Sequence, residues 1–309
     1  MRIGVRVTQF VRQLLRTTLY EARRTKRIVV ASETRPRTEN PIFIIGVHRS
    51  GTTLVRLILD SHSRIACPPE SFFLLSLQHF LGNEKTTEGL RAMGFPREQV
   101  VERLREFTSQ FFEEYVASRG KSRWADKTPA YINCLDLIDT LYGSSARYVL
   151  IFRHGLDSAC SIAQIPDIEE AEPHISACEG DRYAGAARYW AAQCRKLLKF
   201  KREHPAQCLS VFYEKLVQAP EEQARRLLDF LDEPWESDVL LFHKHPHDTW
   251  GGLEDIKALR SRGFEPNIGS YRTQPSEVIA RMLEQAAPVL DELGYDVRAF
   301  PEEDSSREP

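Results

Sequence analysis

The sequence has no apolar run approaching the roughly 20 residues that a bilayer-spanning helix needs, so no stretch of it reads as such a helix. It has no CxxC pair. Cys67, Cys134, Cys160, Cys178, Cys194 and Cys208 are scattered without zinc spacing, which argues against a zinc module and reads as buried or reduced thiols. It has no excess of either charge: 42 Lys and Arg face 44 Asp and Glu, a net charge of −2. That balance argues against a protein that coats nucleic acid, and no nucleic-acid partner is expected. There is no internal repeat, which removes solenoids and propellers. What the chain does have is 309 residues, 42% hydrophobic and 28% charged, an ordinary globular balance. Folding at this length hides about three-quarters of the extended surface, enough for one large α/β domain or two small ones.

Residues 1–34 stand apart as a basic amphipathic extension and linker. Arg2, Arg6, Arg12, Arg16, Arg23, Arg24, Lys26 and Arg27 are met by a single acid, Glu21, in residues 1–29. Val7, Phe10, Val11, Leu14, Leu15 and Leu19 recur at near-helical spacing. Such a helix either lies on an anionic membrane or a partner, or packs on its own domain. Beyond the linker, residues 35–300 read as one domain and 301–309 as a flexible tail. Short apolar runs at Ile42–Ile45, Arg64–Cys67, Arg147–Phe152 and Cys208–Phe212 alternate with helical stretches at 54–59, 97–118, 182–203, 221–231 and 276–293, the last broken or kinked at Pro288. Continuous apolar strands between helices mean a parallel sheet covered on both faces.

The strongest local signal is Ile44-Ile45-Gly46-Val47-His48-Arg49-Ser50-Gly51-Thr52-Thr53-Leu54. A buried strand runs into G-x4-G, and a helix starts at once. Glycines permit the tight turn, and N–H groups at the helix start point at an anion. Gly46 and Gly51 have Walker A spacing, but Thr52 stands where the Walker lysine belongs, and the cation has moved into the loop as Arg49. Such a loop binds a phosphate-like group without the usual ATPase apparatus for terminal phosphates and Mg²⁺.

The loop and the helix after it, GVHRSGTTLVRLILDSH, resemble the 5′-phosphosulfate loop of sulfotransferases that use 3′-phosphoadenosine 5′-phosphosulfate (PAPS). They most resemble the bacterial branch related to tyrosylprotein sulfotransferases. The resemblance implies that Arg49, Ser50, Gly51, Thr52 and Thr53 hold the 5′-phosphate and the sulfuryl group. It places Glu70, in Cys67-Pro68-Pro69-Glu70, at the general base of the tyrosylprotein enzymes, whose following arginine is here Phe72. The other reading of Glu70 is that it starts a helix at Ser71–Leu77, with the base then sought at His48, His62 or His174. Arg153 after the strand RYVLIF, and Ser161 eight residues on, match the grip on the 3′-phosphate. That spacing is slightly over two helical turns, so both can face one anion. An arginine that the tyrosylprotein enzymes add one turn later is Ile165 here.

Lys127, in Asp126-Lys127-Thr128-Pro129, matches a residue that could stabilise charge as sulfur leaves. Tyr213, in Phe212-Tyr213-Glu214, matches a segment near the 3′-phosphate. Arg272, and less closely Ser261 or Arg262, matches a loop that closes over the donor. Arg49, Glu70, Lys127, Arg153 and Tyr213 each follow a candidate strand, so one edge of a parallel sheet would gather them.

The resemblance covers roughly residues 40–295. It implies an α/β P-loop nucleotide-hydrolase-like three-layer fold with a central parallel sheet of about five strands. It implies PAPS as co-substrate and no metal. The catalytic residues would be Glu70, Lys127 and Arg49, and the acceptor a hydroxyl on a tyrosyl peptide, sugar, lipid or other small molecule. A cytoplasmic location is expected, with membrane contact through residues 1–29 left open. The rival readings are a P-loop kinase and a non-catalytic nucleotide-binding or membrane-associated protein. Two further features have bland and sharp readings. His243-Lys244-His245-Pro246-His247-Asp248 is a solvated loop or a metal cluster. The acidic stretch 164–181, with Asp167, Glu169, Glu170, Glu172, Glu179 and Asp181, is a solvated loop or a lid over the acceptor.

Overall fold

The computed structural model describes residues 38–165, 168–249 and 263–296. The basic segment 1–29, most of the linker, Asp167, Ser261, Arg262 and the tail lie outside the described residues. β1 (Ile42–Gly46) runs through residues 47–51 into α1 (Thr52–Asp60), and β2 (Ile65–Ala66) ends before Pro68 and Pro69. An excursion of three helices follows: α2 (Phe73–Gly82), α3 (Glu84–Ala92) and α4 (Arg97–Ser118). The chain then re-enters the sheet as β3 (Arg123–Lys127), α5 (Leu135–Tyr142), β4 (Arg147–Phe152) and α6 (Gly155–Ala163). α7 (Glu172–Ser176), α8 (Arg182–Glu203), β5 (Cys208–Phe212), α9 (Tyr213–Gln218), α10 (Pro220–Phe230) and α11 (Ser276–Glu292) complete it.

The five strands are parallel, in the order β2-β3-β1-β4-β5. β1 is the central strand, and every one of its residues is buried. Side chains alternate between the sheet's faces along each strand, and two cores result. Phe43, Ile45, Trp124, Tyr148, Leu150 and Phe152 point into one, which α4, α5, α6, α8 and α11 cover. Ile42, Ile44, Ala125, Val149, Ile151 and Val211 point into the other, under α1, α9 and α10. The α/β three-layer expectation therefore holds, with five strands. All six cysteines are free thiols, and Cys178 alone among them is not fully buried.

Several local expectations need correction. α11 is unbroken: Pro288 removes one N–H from the ladder, but Met282, Ala286, Val289 and Leu290 are buried around it and keep the helix continuous. The helix after Glu70 starts at Phe73, not Ser71, because Phe72 adopts a left-handed φ of 56°. The acidic stretch is not an open loop. Ile168, Ala171 and Ile175 are buried, and a side chain at Gly185 of α8 would meet the Ile175 backbone at 2.4 Å. The histidine run is not simply solvated: His243 and Lys244 are exposed, but His247 Nδ1 lies 2.6 Å from Asp60 Oδ2. Tyr115 donates a hydrogen bond to Asp248 (3.1 Å). Among the described residues no group of three or more His, Cys, Asp or Glu side chains is arranged to hold a metal ion.

Candidate active site

The carboxyl ends of the strands carry the candidate residues. Arg49 follows β1, Glu70 follows β2, Lys127 ends β3, Arg153 follows β4 and Tyr213 follows β5. The loop after β1 is tightly built. A Cβ on Gly46 would sit 2.6 Å from Ser50 Oγ, and Gly51, with φ of 95°, has the Tyr213 ring where its Cβ would be, at 2.6 Å. Arg49 itself has φ of 68°, a strained conformation for a non-glycine residue that needs surrounding structure to hold it. Ser50 N–H donates to Val47 O (3.1 Å) and closes the turn. The first hydrogen bonds of α1 run from Leu54 and Val55 N–H to Gly51 O, so the N–H groups of Thr52 and Thr53 lie ahead of them and form the positive end of the helix dipole.

The loop and the candidate 3′ grip are hydrogen-bonded to each other. Arg49 Nε donates to Ser161 Oγ on α6 (3.0 Å), and Arg153 Nη1 donates to Arg49 O (2.9 Å). Arg153 Nη2 donates to Asn267 O (2.7 Å), and its guanidinium lies 4.7 Å from the centre of the Tyr213 ring. Tyr213 Oη accepts from Asn267 N–H (3.2 Å) and donates to Glu265 O (3.4 Å). Burial raises its pKa, so it stays a neutral phenol. Ser50 Oγ and Arg153 Nε are buried with no hydrogen-bond partner among the described residues. One hydroxyl and one guanidinium N–H therefore remain to meet an anion.

Glu70 and Lys127 form a salt bridge, Lys127 Nζ donating to Glu70 Oε1, with side-chain exposures of 9% and 1%. The turn that carries Glu70 is held by partners the sequence did not announce. Ser71 Oγ donates to Asp126 Oδ2 (2.7 Å), Ser71 N–H donates to Thr128 Oγ1 (3.0 Å), and Leu74 N–H donates to Tyr131 Oη (3.2 Å). The signal for Asp126 was its type: an acid inside a strand is buried only for a reason. Burial pushes its carboxyl up to about 7, against the opposing pull of Ser71, Thr128 and Lys127. An unfolded chain loses this proton near pH 4, while the folded protein keeps it to about pH 7, so stability falls as pH rises through that window. Asp126 should therefore pull the melting temperature down between about pH 4 and pH 7, and Asp126→Asn should remove that contribution to the slope. A variant with the wild-type slope would remove Asp126 as its source.

A narrow cleft of about 50 Å³ lies between His48, Arg49, Gly51, Thr52, Thr53, Glu70 and Pro129. A larger cavity of about 390 Å³ opens at the far end of α1, beside Asp60, His62, Arg119 and Glu236. It is about 12 Å along α1 from the loop and shares no residue with the cleft. His62 belongs there, with Nε2 on Pro234 O (2.9 Å) and Nδ1 accepting from Arg64 N–H (3.1 Å), and so is not in the cleft. Arg272 is exposed, with its guanidinium 5.7 Å from the Tyr271 ring centre, on the loop whose Asn267 meets Arg153 and Tyr213. The residue that fixes its loop is Asp157 of α6, which sequence reasoning missed. Its buried carboxylate accepts from Gly269 N–H (2.7 Å), Ser270 Oγ (2.8 Å) and Tyr271 N–H (3.0 Å). Near Ile165, Arg182 donates to Ala163 O (2.9 Å) and Ile165 O (3.1 Å). Its guanidinium thereby caps α6.

A parallel sheet whose first strand feeds a glycine-bound anion loop, with cations and a carboxylate at its other strand ends, defines a group-transfer enzyme acting on a nucleotide-borne anion. The comparisons specify which. Residues 41–237 match the model of the Sulfotransferase family, and the chain belongs to that family. A Caenorhabditis briggsae relative is 30% identical over 267 residues, 84% of this chain and 90% of its own. Protein-tyrosine sulfotransferase A of Caenorhabditis elegans is 29% identical over 277 residues, 86% of this chain and 70% of the relative. Among solved structures, the sulfotransferase domain from the curacin biosynthetic pathway superposes with a TM-score of 0.60 at 20% identity. It covers 84% of this chain and 99% of that domain, a likeness of fold.

Proposed function

We propose that this sulfotransferase moves the sulfuryl group of PAPS to a hydroxyl acceptor by in-line displacement. The observation that carries the donor assignment is the pair of bonds joining the anion loop to the second grip, Arg49 Nε to Ser161 Oγ and Arg153 Nη1 to Arg49 O. One site so built suits a nucleotide with anions at both the 5′ and the 3′ position. The residues fit that donor: buried Ser50 Oγ and Arg153 Nε need acceptors, and the α1 N-terminus favours an anion. Ser50, Gly51, Thr52 and Thr53 hold the 5′-phosphosulfate, and Arg153, Ser161 and Tyr213 the 3′-phosphate. Glu70 takes the acceptor's proton, and Lys127 and Arg49 stabilise charge on the oxygen that sulfur leaves. Relatives named for protein tyrosine support a phenolic hydroxyl as acceptor. The transfer requires no metal.

Thermal melts test the donor. Ligand at 100 times its dissociation constant stabilises by about 2.7 kcal/mol. Adenosine 3′,5′-bisphosphate should therefore raise the melting temperature clearly, with ATP and adenosine 5′-phosphosulfate far behind. Arg153→Ala should erase the preference for the 3′-phosphate. Equal shifts with ATP and the bisphosphate would return the kinase reading.

A further inference from the structure

His48 sits in the anion loop, one residue before Arg49, and its ring forms part of the cleft wall with Glu70. Its Nδ1 is 2.9 Å from the hydroxyl of Tyr189 on α8. Tyr189 is buried, and among the described residues this is the only hydrogen bond its hydroxyl makes. A buried hydroxyl hydrogen needs an acceptor. If Nδ1 carried the proton, it would donate to the Tyr189 oxygen and strand the phenolic hydrogen in the core. The network is satisfied when Tyr189 donates to Nδ1, and a neutral imidazole then carries its proton on Nε2. Nε2 has no hydrogen-bond partner among the described residues, so this N–H is available to whatever enters the cleft.

The ring is held neutral by its setting. Burial lowers its pKa, and the Lys127 and Arg49 charges lower it further, against the opposing pull of Glu170 from the turn before α7. The Tyr189 ring also packs edge-on against His174 of α7, their centres 5.6 Å apart.

Resting on the PAPS reading above, we propose that His48 is a catalytic hydrogen-bond donor: Nε2–H binds a non-bridging oxygen of the sulfuryl group as it transfers, and Tyr189 sets the tautomer. In the step itself, the acceptor's oxygen forms its bond to sulfur while the bond from sulfur to the 5′-phosphate oxygen breaks. The acceptor's proton passes to Glu70, the electron pair leaves with the bisphosphate, and the His48 proton stays on Nε2. A preorganised donor at such a position is worth about 100- to 1,000-fold in rate.

Three variants and one spectrum test this in the full chain. His48→Phe fills the space without a donor; it should lose about 100- to 1,000-fold in kcat and keep the melting shift with adenosine 3′,5′-bisphosphate. His48→Gln places an amide N–H near the position of Nε2 and should stay within about 10-fold of wild type. Long-range ¹⁵N spectra of wild type should show His48 protonated on Nε2 alone, and Tyr189→Phe should mix the tautomers and lower kcat. Turnover of His48→Phe within about 3-fold of wild type would overturn the proposal. So would a His48→Gln as slow as His48→Phe with the acid limb of the pH profile lost, which would make His48 a base. An Nδ1-protonated ring would overturn it even if His48→Phe fails to fold. A wild type that turns over no PAPS would instead remove the donor reading on which this rests.

Discussion

Glu70→Gln should bind adenosine 3′,5′-bisphosphate as the wild type does and turn over about 100- to 10,000-fold more slowly, the usual worth of a positioned general base. The substitution keeps the shape and removes the proton acceptor. The competing role, a helix-start acid, does not fit the structure: α2 begins at Phe73 with no acid in its first turn, and Glu70 lies outside it. The carboxylate is instead aimed by Lys127 and by the turn that carries it. Lys127 holds Oε1, and Ser71, bonded to Asp126 and Thr128, fixes the turn. The loss should shrink for an acceptor whose hydroxyl is already acidic, such as a nitrophenol, since less deprotonation is required. Steady-state rates with both kinds of acceptor, beside bisphosphate melts, separate the outcomes. A variant within a few-fold of wild type would send the base elsewhere. One that cannot bind the bisphosphate would make Glu70 structural.

Lys127→Met should cost both stability and rate, and the two costs should separate in a double variant. Removing the cation takes the Glu70 carboxylate, 9% exposed, out of its ion pair with Lys127. Breaking a buried pair in this way costs about 3–5 kcal/mol, or roughly 5–8 °C in melting temperature at this chain length. Glu70→Gln together with Lys127→Met replaces two charges by two neutral side chains and should recover most of that loss. The double variant should remain as slow as the slower single one, because base and charge stabiliser act on the same step. If stability stayed low in the double variant, Lys127 would be needed for packing and not for pairing with Glu70. If activity returned with stability, neither residue would take part in the transfer.

The parts of the fold that announced themselves are those whose hydrophobic period does the folding. β4 and β5 begin and end where their apolar runs do, and α4 and α8 where their amphipathic stretches do. β3 was the least legible strand because Arg-Trp-Ala-Asp-Lys has charge at three of five positions. Those charges are buried only because Glu70, Ser71, Asn40 and Glu233 meet them from elsewhere in the chain. The strand ends that carry Arg49, Glu70, Arg153 and Tyr213 followed from the apolar runs before them, whereas Lys127 was reached only through the family resemblance of its motif. The residues that position them followed from neither. Asp157 finds its partners beyond residue 268, and His48 finds Tyr189 across 141 positions. Neither pairing leaves a local pattern. His247 was similarly opaque, since its partner Asp60 lies 187 residues away.

The Asp157 contacts also bear on the order in which the molecule is completed. All five strands are in hand once residue 212 has been made. Yet Asp157 and Tyr213 find their donors and acceptors, and Arg153 its second acceptor, in residues 265–271. Contacts of such long sequence separation close late, because the intervening chain must be ordered first. A nascent chain emerging from the ribosome could therefore assemble its sheet long before it could clamp a nucleotide. Competence for the donor then becomes a mark of a finished chain: a fragment that stops short of residue 270 would contain all five strands but lack both the clasp and α11, whose Met282, Ala286, Val289 and Leu290 complete one core.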